Sequence, residues 1–324
     1  MASSQWTRRG FLGTLGAGVA LGDLASLAAQ GQAPAPNPAR EAANVERDVV
    51  FGKGGDVDLH LDIYRPPAGA PAKRMAIVHL HGGGFTGGNK NNLAARLQSQ
   101  SALGYVNIAA QYRLAGVARW PAQIEDVKSA IRWTRANASK LGIDPARIAV
   151  AGYSAGGHLA LFAAGTQNNA QYEGSSGNAG GGTQLAACFA CYAVTGAAWE
   201  GFRKQFPLPP GSSDEAWKQA EPGTHIKGFP PTVLHHGLDD VTVRPESSQD
   251  FLALLRGANV PSELHEFAGV PHEFVAHPEF AEAVARLNDF FLERHVINPK
   301  TYPAFGARPR RRPRGQQLSR GRDL

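Results

Sequence analysis

The stretch RIAVAGYSAGGHLA, at positions 147–160, decides how this chain folds. The segment RIAVA is typical of a buried strand, and a glycine-rich turn leads from it directly into a helical pattern. Gly152 and Gly156 flank Ser154 in a Gly-x-Ser-x-Gly arrangement, and their missing β-carbons permit a sharp strand-to-helix turn. Such a turn exposes its serine at the end of the strand, so Ser154 is the candidate nucleophile. The competing interpretation is a structural serine in a tight turn.

Strands and helices alternate on both sides of this turn. Alternation of apolar and polar residues predicts a half-exposed strand at 57–64. Short apolar runs predict buried strands at 75–80, 105–110, 186–194, 232–236 and 263–267. Helical spacing predicts helices at 91–103, 121–141, 154–164, 246–257 and 278–296. The fold class is therefore α/β, with a mostly parallel central sheet and helices on both faces.

A second glycine-rich turn, His81-Gly82-Gly83-Gly84-Phe85, follows the predicted strand 75–80. Attack on an ester creates a negatively charged oxygen, which needs N–H donors already in position. Gly83 and Gly84, with the N–H of Ala155, are the predicted oxyanion donors. A phosphate-binding turn is the alternative, but no Gly-Lys-Ser/Thr follows the glycines. His81 is expected to brace this loop.

A serine hydroxyl needs a base to remove its proton. The chain has eleven histidines, so the base is identified by where each histidine lies relative to the predicted strands. His272 lies in the turn after the last predicted strand, where this arrangement places its base. His277, at the start of the terminal helix, is the alternative. His158 follows Ser154 within a helix and is expected to be a packing residue.

The base in turn needs a carboxylate that holds its tautomer and stabilises its cation. Two adjacent candidates, Asp239 and Asp240, follow the predicted strand 232–236. We favour Asp240, and expect the other aspartate to cap or solvate the turn. The chain order Ser154, Asp240, His272 is the order that strand–turn–helix serine hydrolases use.

These motifs resemble the α/β-hydrolase superfamily, near the hormone-sensitive-lipase-like and bacterial feruloyl-esterase-like serine esterases. The resemblance covers about residues 46–295, and its motifs lie at 79–85, 111–160, 172–178, 235–240 and 269–274. It implies the α/β-hydrolase fold, with Ser154, Asp240 and His272 as triad and with oxyanion donors at Gly83, Gly84 and Ala155. It implies no cofactor and no metal.

The sequence departs from this family at Ala193-Val194-Thr195-Gly196, where a Gly-Pro-Thr-Asp-like turn is usual. A small cap or none is expected, with any lid drawn from residues 195–230. An open site would admit a small-molecule or carbohydrate-linked ester, such as a feruloyl, acetyl-carbohydrate or other short-chain ester. A serine peptidase of the same fold and a non-catalytic binding protein are the alternative functions.

The two ends of the chain have a different character. Thr7-Arg8-Arg9-Gly10-Phe11-Leu12 resembles a twin-arginine export signal, which predicts a signal peptide at 1–30 and a periplasmic or secreted protein. The signal's apolar stretch is interrupted by Asp23, so a stable membrane span in the mature protein is not expected. A Pro/Ala linker at 31–44 precedes the catalytic domain, 45–297.

The end of the predicted basic tail, 298–324, carries a charge equal to that of the whole chain. Residues 308–324 hold seven arginines and one aspartate, and the net charge of the chain is +6. The rest is formally neutral, so no nucleic-acid partner is expected. The two cysteines, Cys188 and Cys191, lie in a predicted strand and are expected to be buried thiols on its opposite faces.

Overall fold

The computed structural model describes residues 44–196 and 200–302. The predicted signal peptide, the linker up to residue 43 and the tail beyond residue 302 lie outside these residues.

Eight strands form one sheet in the order β1-β2-β4-β3-β5-β6-β7-β8. They are β1 (Val45–Gly54), β2 (Val57–Tyr64), β3 (Ala76–Leu80), β4 (Val106–Ala110), β5 (Ile148–Tyr153), β6 (Ala187–Cys191), β7 (Thr232–Gly237) and β8 (Ser262–Phe267). β2 pairs antiparallel with β1 and β4, and the remaining pairs are parallel. The predicted fold class is confirmed.

The α-helices lie between these strands and after the last one. They are α1 (Ala94–Ala102), α2 (Ala122–Ala136), α3 (Ala138–Leu141), α4 (Ala155–Gly165), α5 (Glu200–Gln205), α6 (Asp214–Gln219), α7 (Glu246–Gly257) and α8 (Pro278–Leu292). Single 3₁₀ turns precede α1 at Lys90–Leu93 and α8 at Phe274–Ala276, and a π-helical turn, Glu293–Ile297, extends α8.

Both faces of the central strands, β3 to β7, are buried, and successive residues of each strand face opposite sides. Val78 and Val150 join the core under α2 and α4, whereas Ile77 and Ala149 join the core under α8. The central strands are therefore continuous apolar runs, because neither face meets water.

The order of the strands fixes where a site can form. β3 lies between β4 and β5, so the chain builds one half of the sheet and then crosses to the other side. Parallel strands that diverge in this way leave a crevice at their carboxyl ends. The turns after β3 and β5, which hold His81 to Phe85 and Ser154, meet at this crevice.

Three predicted elements differ from the structure. The strand predicted at 186–194 ends at Cys191, because Tyr192 has a left-handed φ of 40°. The helix predicted at 121–141 breaks at Asn137, whose ψ of 14° departs from helical geometry. The region 195–230, for which no element was predicted and from which any lid was expected, contains two short helices, α5 and α6. No helix among the described residues is long and apolar enough to cross a bilayer.

Candidate active site

Ser154 occupies a strained turn between β5 and α4. Its φ of 54° and ψ of −118° lie outside the regions that L-residues ordinarily adopt, and its N–H donates to the carbonyl of Cys191 at 3.0 Å. A β-carbon on Gly152 would overlap the carbonyl oxygen of Gly156, so the turn requires glycine there. The serine is 9% exposed and lines a cavity.

The loop after β3 presents backbone N–H groups to this serine. Gly83 and Gly84 have positive φ values of 114° and 61°, and the carbonyl of Gly83 accepts from the N–H of Gly87 at 2.9 Å. Among the described residues, none accepts a hydrogen bond from the N–H of Gly83, Gly84 or Ala155. All three residues line the cavity beside Ser154, where such donors can receive a developing negative charge.

His81 holds the same loop from behind. Its Nδ1 donates to the carbonyl of Gly82 at 2.7 Å, and its ring stacks on Tyr112 with centroids 4.3 Å apart. The hydroxyl of Tyr112 donates to the carbonyl of His81 at 2.8 Å. Burial lowers the pKa of His81 to about 4, so the ring is neutral near pH 7. These contacts match the bracing position expected from the sequence.

The structure brings His272 to Ser154 across 118 positions of sequence. Its Nε2 lies 3.0 Å from Oγ of Ser154, and its Nδ1 lies 2.6 Å from Oδ2 of Asp240. Because a carboxylate only accepts, Nδ1 carries the hydrogen and Nε2 is free to accept the serine proton. His277, the alternative, lies instead at the N-cap of α8 and is exposed.

Asp240 is held by donors on both carboxylate oxygens. Its Oδ1 accepts from the N–H groups of Thr242 and Val243, both at 2.9 Å. Burial opposes its ionisation, but hydrogen bonds from His236, His272 and Val243 outweigh burial and hold the pKa of Asp240 well below its ordinary value. Asp239 is exposed in the same turn, and of the two aspartates only Asp240 is hydrogen-bonded to His272.

Two buried residues beside these three were not predicted from the sequence. The Tyr192 ring lies edge-on to the His272 imidazole, with centroids 4.7 Å apart and planes at 63°. His236 lies 3.3 Å from the Oδ2 of Asp240. Tyr192 continues an apolar run with no break in pattern. Adjacent residues of a strand face opposite sides of the sheet, so the pair His235-His236 indicates that one ring faces the site but not which one.

His158 and both cysteines lie in the core, as expected. The His158 ring packs among Phe85, Phe202 and Phe206, and its Nδ1 donates to the carbonyl of Val194 at 2.9 Å. Cys188 and Cys191 are buried free thiols that belong to different core clusters on the two faces of β6.

The cavity over Ser154 has a volume of about 450 Å³. Val241 and Glu273, the sequence neighbours of Asp240 and His272, line it. Phe202, whose ring meets Phe85, and Gln205, which lies against Gly84, line it beside the glycine loop. Val241 is 92% exposed, so the cavity opens to solvent at that end. Since α5 supplies Phe202 and Gln205, part of the region 195–230 forms a wall of the site.

A family model described as BD-FAE matches residues 61–255, which include Ser154 and Asp240. The chain belongs to the BD-FAE family. Its place in the α/β-hydrolase superfamily, near hormone-sensitive-lipase-like esterases, is thereby confirmed.

Relatives of this BD-FAE chain include proteins described as esterases. Esterase LipQ of Mycobacterium tuberculosis is 32% identical over 251 residues, which cover 74% of this chain and 59% of LipQ. Esterase 2 of Thermogutta terrifontis, solved after phosphoramylation by tabun, is 30% identical with a TM-score of 0.68, over 79% of this chain and 97% of that one. A truncated carbohydrate esterase from gut microbiota is 25% identical with a TM-score of 0.64, over 78% and 96%.

The chain spans less than two thirds of the length of the curated relatives it matches first. The matched segment covers 59% of LipQ and 59% of the probable carboxylic ester hydrolase LipM, also of Mycobacterium tuberculosis.

Proposed function

We propose that this chain hydrolyses carboxylic esters through a triad of Ser154, His272 and Asp240 and an acyl-enzyme. One observation carries the proposal: a single imidazole, that of His272, lies 3.0 Å from the serine oxygen and 2.6 Å from a buried carboxylate. This is the arrangement that activates a serine for attack on a carbonyl.

Hydrolysis proceeds in two stages. His272 takes the proton of Ser154 as the serine oxygen bonds to the ester carbonyl carbon, and the carbonyl oxygen becomes negative. When this tetrahedral intermediate collapses, the bond to the alcohol oxygen breaks and His272 protonates the departing alcohol. Water then attacks the acyl-enzyme with His272 as base, and the acid leaves as Ser154 regains its proton.

The negative oxygen is received by the backbone donors of Gly83, Gly84 and Ala155. Since α4 begins at Ala155, the partial positive charge of its N-terminus also favours that oxygen. Removal of one such donor typically costs about 10²–10³ in rate. No step of this mechanism requires a metal or a cofactor.

The side on which His272 lies identifies the two ends of the substrate. The alcohol must leave beside the group that protonates it, so it lies near Val241 and Glu273, where the cavity opens to solvent. The acyl group lies near Phe202 and Gln205, against the wall formed by α5. We therefore propose esters with large alcohols, such as acetylated carbohydrates, as the substrate class. The resemblance to a carbohydrate esterase supports this choice.

Hydrolysis of p-nitrophenyl acetate by the purified protein tests the reaction. We expect turnover by the wild type and a loss on the order of 10⁶-fold in kcat for Ser154→Ala, with unchanged thermal unfolding. Turnover of an aminoacyl anilide but not of the ester would favour the peptidase alternative. Absence of both activities in folded protein would favour a binding protein.

A panel of esters then tests the substrate class. Acetylated sugars, feruloyl esters and ethyl esters are compared by kcat/KM. We expect acetylated sugars to be hydrolysed at least as efficiently as ethyl acetate. A site that accepts ethyl acetate and excludes acetylated sugars would contradict the open alcohol side.

A further inference from the structure

The carboxylate of Asp240 faces two histidines. Its Oδ2 lies 2.6 Å from Nδ1 of His272 and 3.3 Å from Nε2 of His236. The side chains of His236 and Asp240 are both fully buried. The same oxygen that supports the proposed base thus lies within reach of a second imidazole.

The contacts of His236 define which nitrogen carries its hydrogen. Nε2 lies 2.8 Å from the carbonyl oxygen of Val243 as well as 3.3 Å from Asp240, and both of these groups accept. Nδ1 lies 2.7 Å from Oγ of Ser248, which can donate to it. Nε2 therefore carries a hydrogen that is directed at both acceptors, while Nδ1 meets the hydroxyl of Ser248.

We propose that His236 is a positioning residue that sets the basicity of His272 through Asp240. This inference rests on the proposed function, because it concerns the base of the same triad. An N–H directed at Oδ2 draws negative charge away from the oxygen that stabilises the His272 cation. His236 also ties the turn that holds Asp240, since Val243 donates to Oδ1 of Asp240 and accepts from His236.

The other ionisable groups around this pair come from neighbouring elements. Glu273, beside His272, lines the cavity, and Tyr192, after β6, packs its ring on His272. Asp239 lies in the turn after β7 and is exposed. A substitution at position 236 leaves all three in place, so a change in the titration of His272 reports on His236.

Two substitutions of His236 distinguish the effect of losing its hydrogen bond to Asp240 from the effect of losing the imidazole ring. In His236→Gln the side-chain amide reaches the place of Nε2 and keeps a donor there. In His236→Asn the amide is too short, and the donor to Asp240 is lost. Ser248→Ala provides an independent test, since it removes the partner of Nδ1 and leaves the ring.

His235 offers a matched control on the same strand. It is fully buried, but its ring faces the opposite side of the sheet, where Nε2 lies 2.8 Å from Oδ1 of Asn288 in α8. His235→Asn removes a hydrogen bond of the same kind without touching the triad. The change in unfolding temperature of His235→Asn therefore measures the cost of losing a buried histidine that does not contact the triad.

The experiment measures the rate at which a fluorophosphonate labels the serine from pH 4.5 to 9, with thermal unfolding of each variant. We expect His236→Asn to move the acid limb of the rate profile up by roughly 0.5 to 1 pH unit, because Asp240 then stabilises the His272 cation more strongly. Ser248→Ala should move it in the same direction. His236→Gln and His235→Asn should keep the wild-type limb, although His235→Asn lowers the unfolding temperature.

An unchanged acid limb in both His236→Asn and Ser248→Ala would overturn the inference, as would an equal shift in His235→Asn. If His236→Asn fails to fold, Ser248→Ala decides alone. A wild-type protein that the probe does not label at any pH would instead contradict the proposed function itself, and this inference with it. The two failures are therefore distinguishable.

Discussion

The carbonyl oxygen of Leu80, the last residue of β3, occupies the space that a β-carbon on Gly156 would need. The helix after Ser154 thus packs directly on the strand that leads into the glycine loop at His81 to Phe85. This close approach sets the distance between the serine and its proposed backbone donors.

Gly156→Ala should therefore damage both stability and activity. We expect a loss of about 1–3 kcal/mol in the free energy of unfolding from overpacking, and roughly 10²-fold lower kcat/KM because the serine moves relative to its donors. Urea unfolding and ester hydrolysis measure the two effects. Gly116→Ala is the control, because no atom lies within 4 Å of the added carbon. Wild-type activity in Gly156→Ala would contradict this account of the turn.

Asp240 and Asp239 are adjacent, yet only Asp240 contacts His272. Asp240→Asn should lower kcat by about 10⁴-fold, because an amide no longer fixes the His272 tautomer or stabilises its cation. Asp239→Asn should keep nearly wild-type kcat, since its side chain is solvated. Steady-state hydrolysis of p-nitrophenyl acetate compares the two. Equal losses of kcat in the two variants, or a larger loss in Asp239→Asn, would contradict the choice of Asp240 as the triad carboxylate.

The sequence predicts the three proposed triad residues better than it predicts the residues that pack around them. Ser154, Asp240 and His272 each follow a recognisable strand, and parallel strands bring their carboxyl ends together. Tyr192 contacts His272, which is distant in the sequence, and no local pattern encodes such a contact. His236 lies only four positions before Asp240, but the pair His235-His236 does not tell which of the two rings faces that carboxylate. The φ of 40° at Tyr192 is likewise imposed by tertiary packing and not by residue type.

Glu173 links α2 to the loop that carries the YEGSSGN motif, residues 172–178. Its carboxylate lies 2.8 Å from Nζ of Lys128 and 2.9 Å from Nη1 of Arg132, and both cations are buried. Glu173→Gln leaves these two cations without their carboxylate, and we expect a loss of about 3 kcal/mol in the free energy of unfolding. Glu282→Gln, which breaks the exposed pair with Arg286, is the control and should change little. Equal stabilities of the two variants would contradict the structural role of the motif.

Stability should fall in mild acid because several histidines are buried in neutral form. Burial lowers the pKa of His79, His81 and His158 to about 4, below the value of about 6.5 in an unfolded chain. Between these values the unfolded chain binds protons that the folded chain excludes, so the free energy of unfolding declines as pH falls from about 6.5 to 4. The pKa of Asp240 is lowered, so its contribution is lost only at more acidic pH.

Urea unfolding between pH 7 and 4.5 measures this decline. His158→Phe should make it shallower by about 1.4 kcal/mol per pH unit, because one proton-excluding group is removed. A free energy of unfolding that stays constant across this range in the wild type would contradict the neutral burial of these rings.

The central claim is that Ser154 becomes acylable because His272 and Asp240 converge on it. Its most direct test is labelling of the folded protein with a fluorophosphonate, followed by mass spectrometry of the peptides. We predict a single adduct on Ser154 that is absent in Ser154→Ala and forms far more slowly in His272→Ala. A folded protein that stays unlabelled, or an adduct at another residue, would contradict the account.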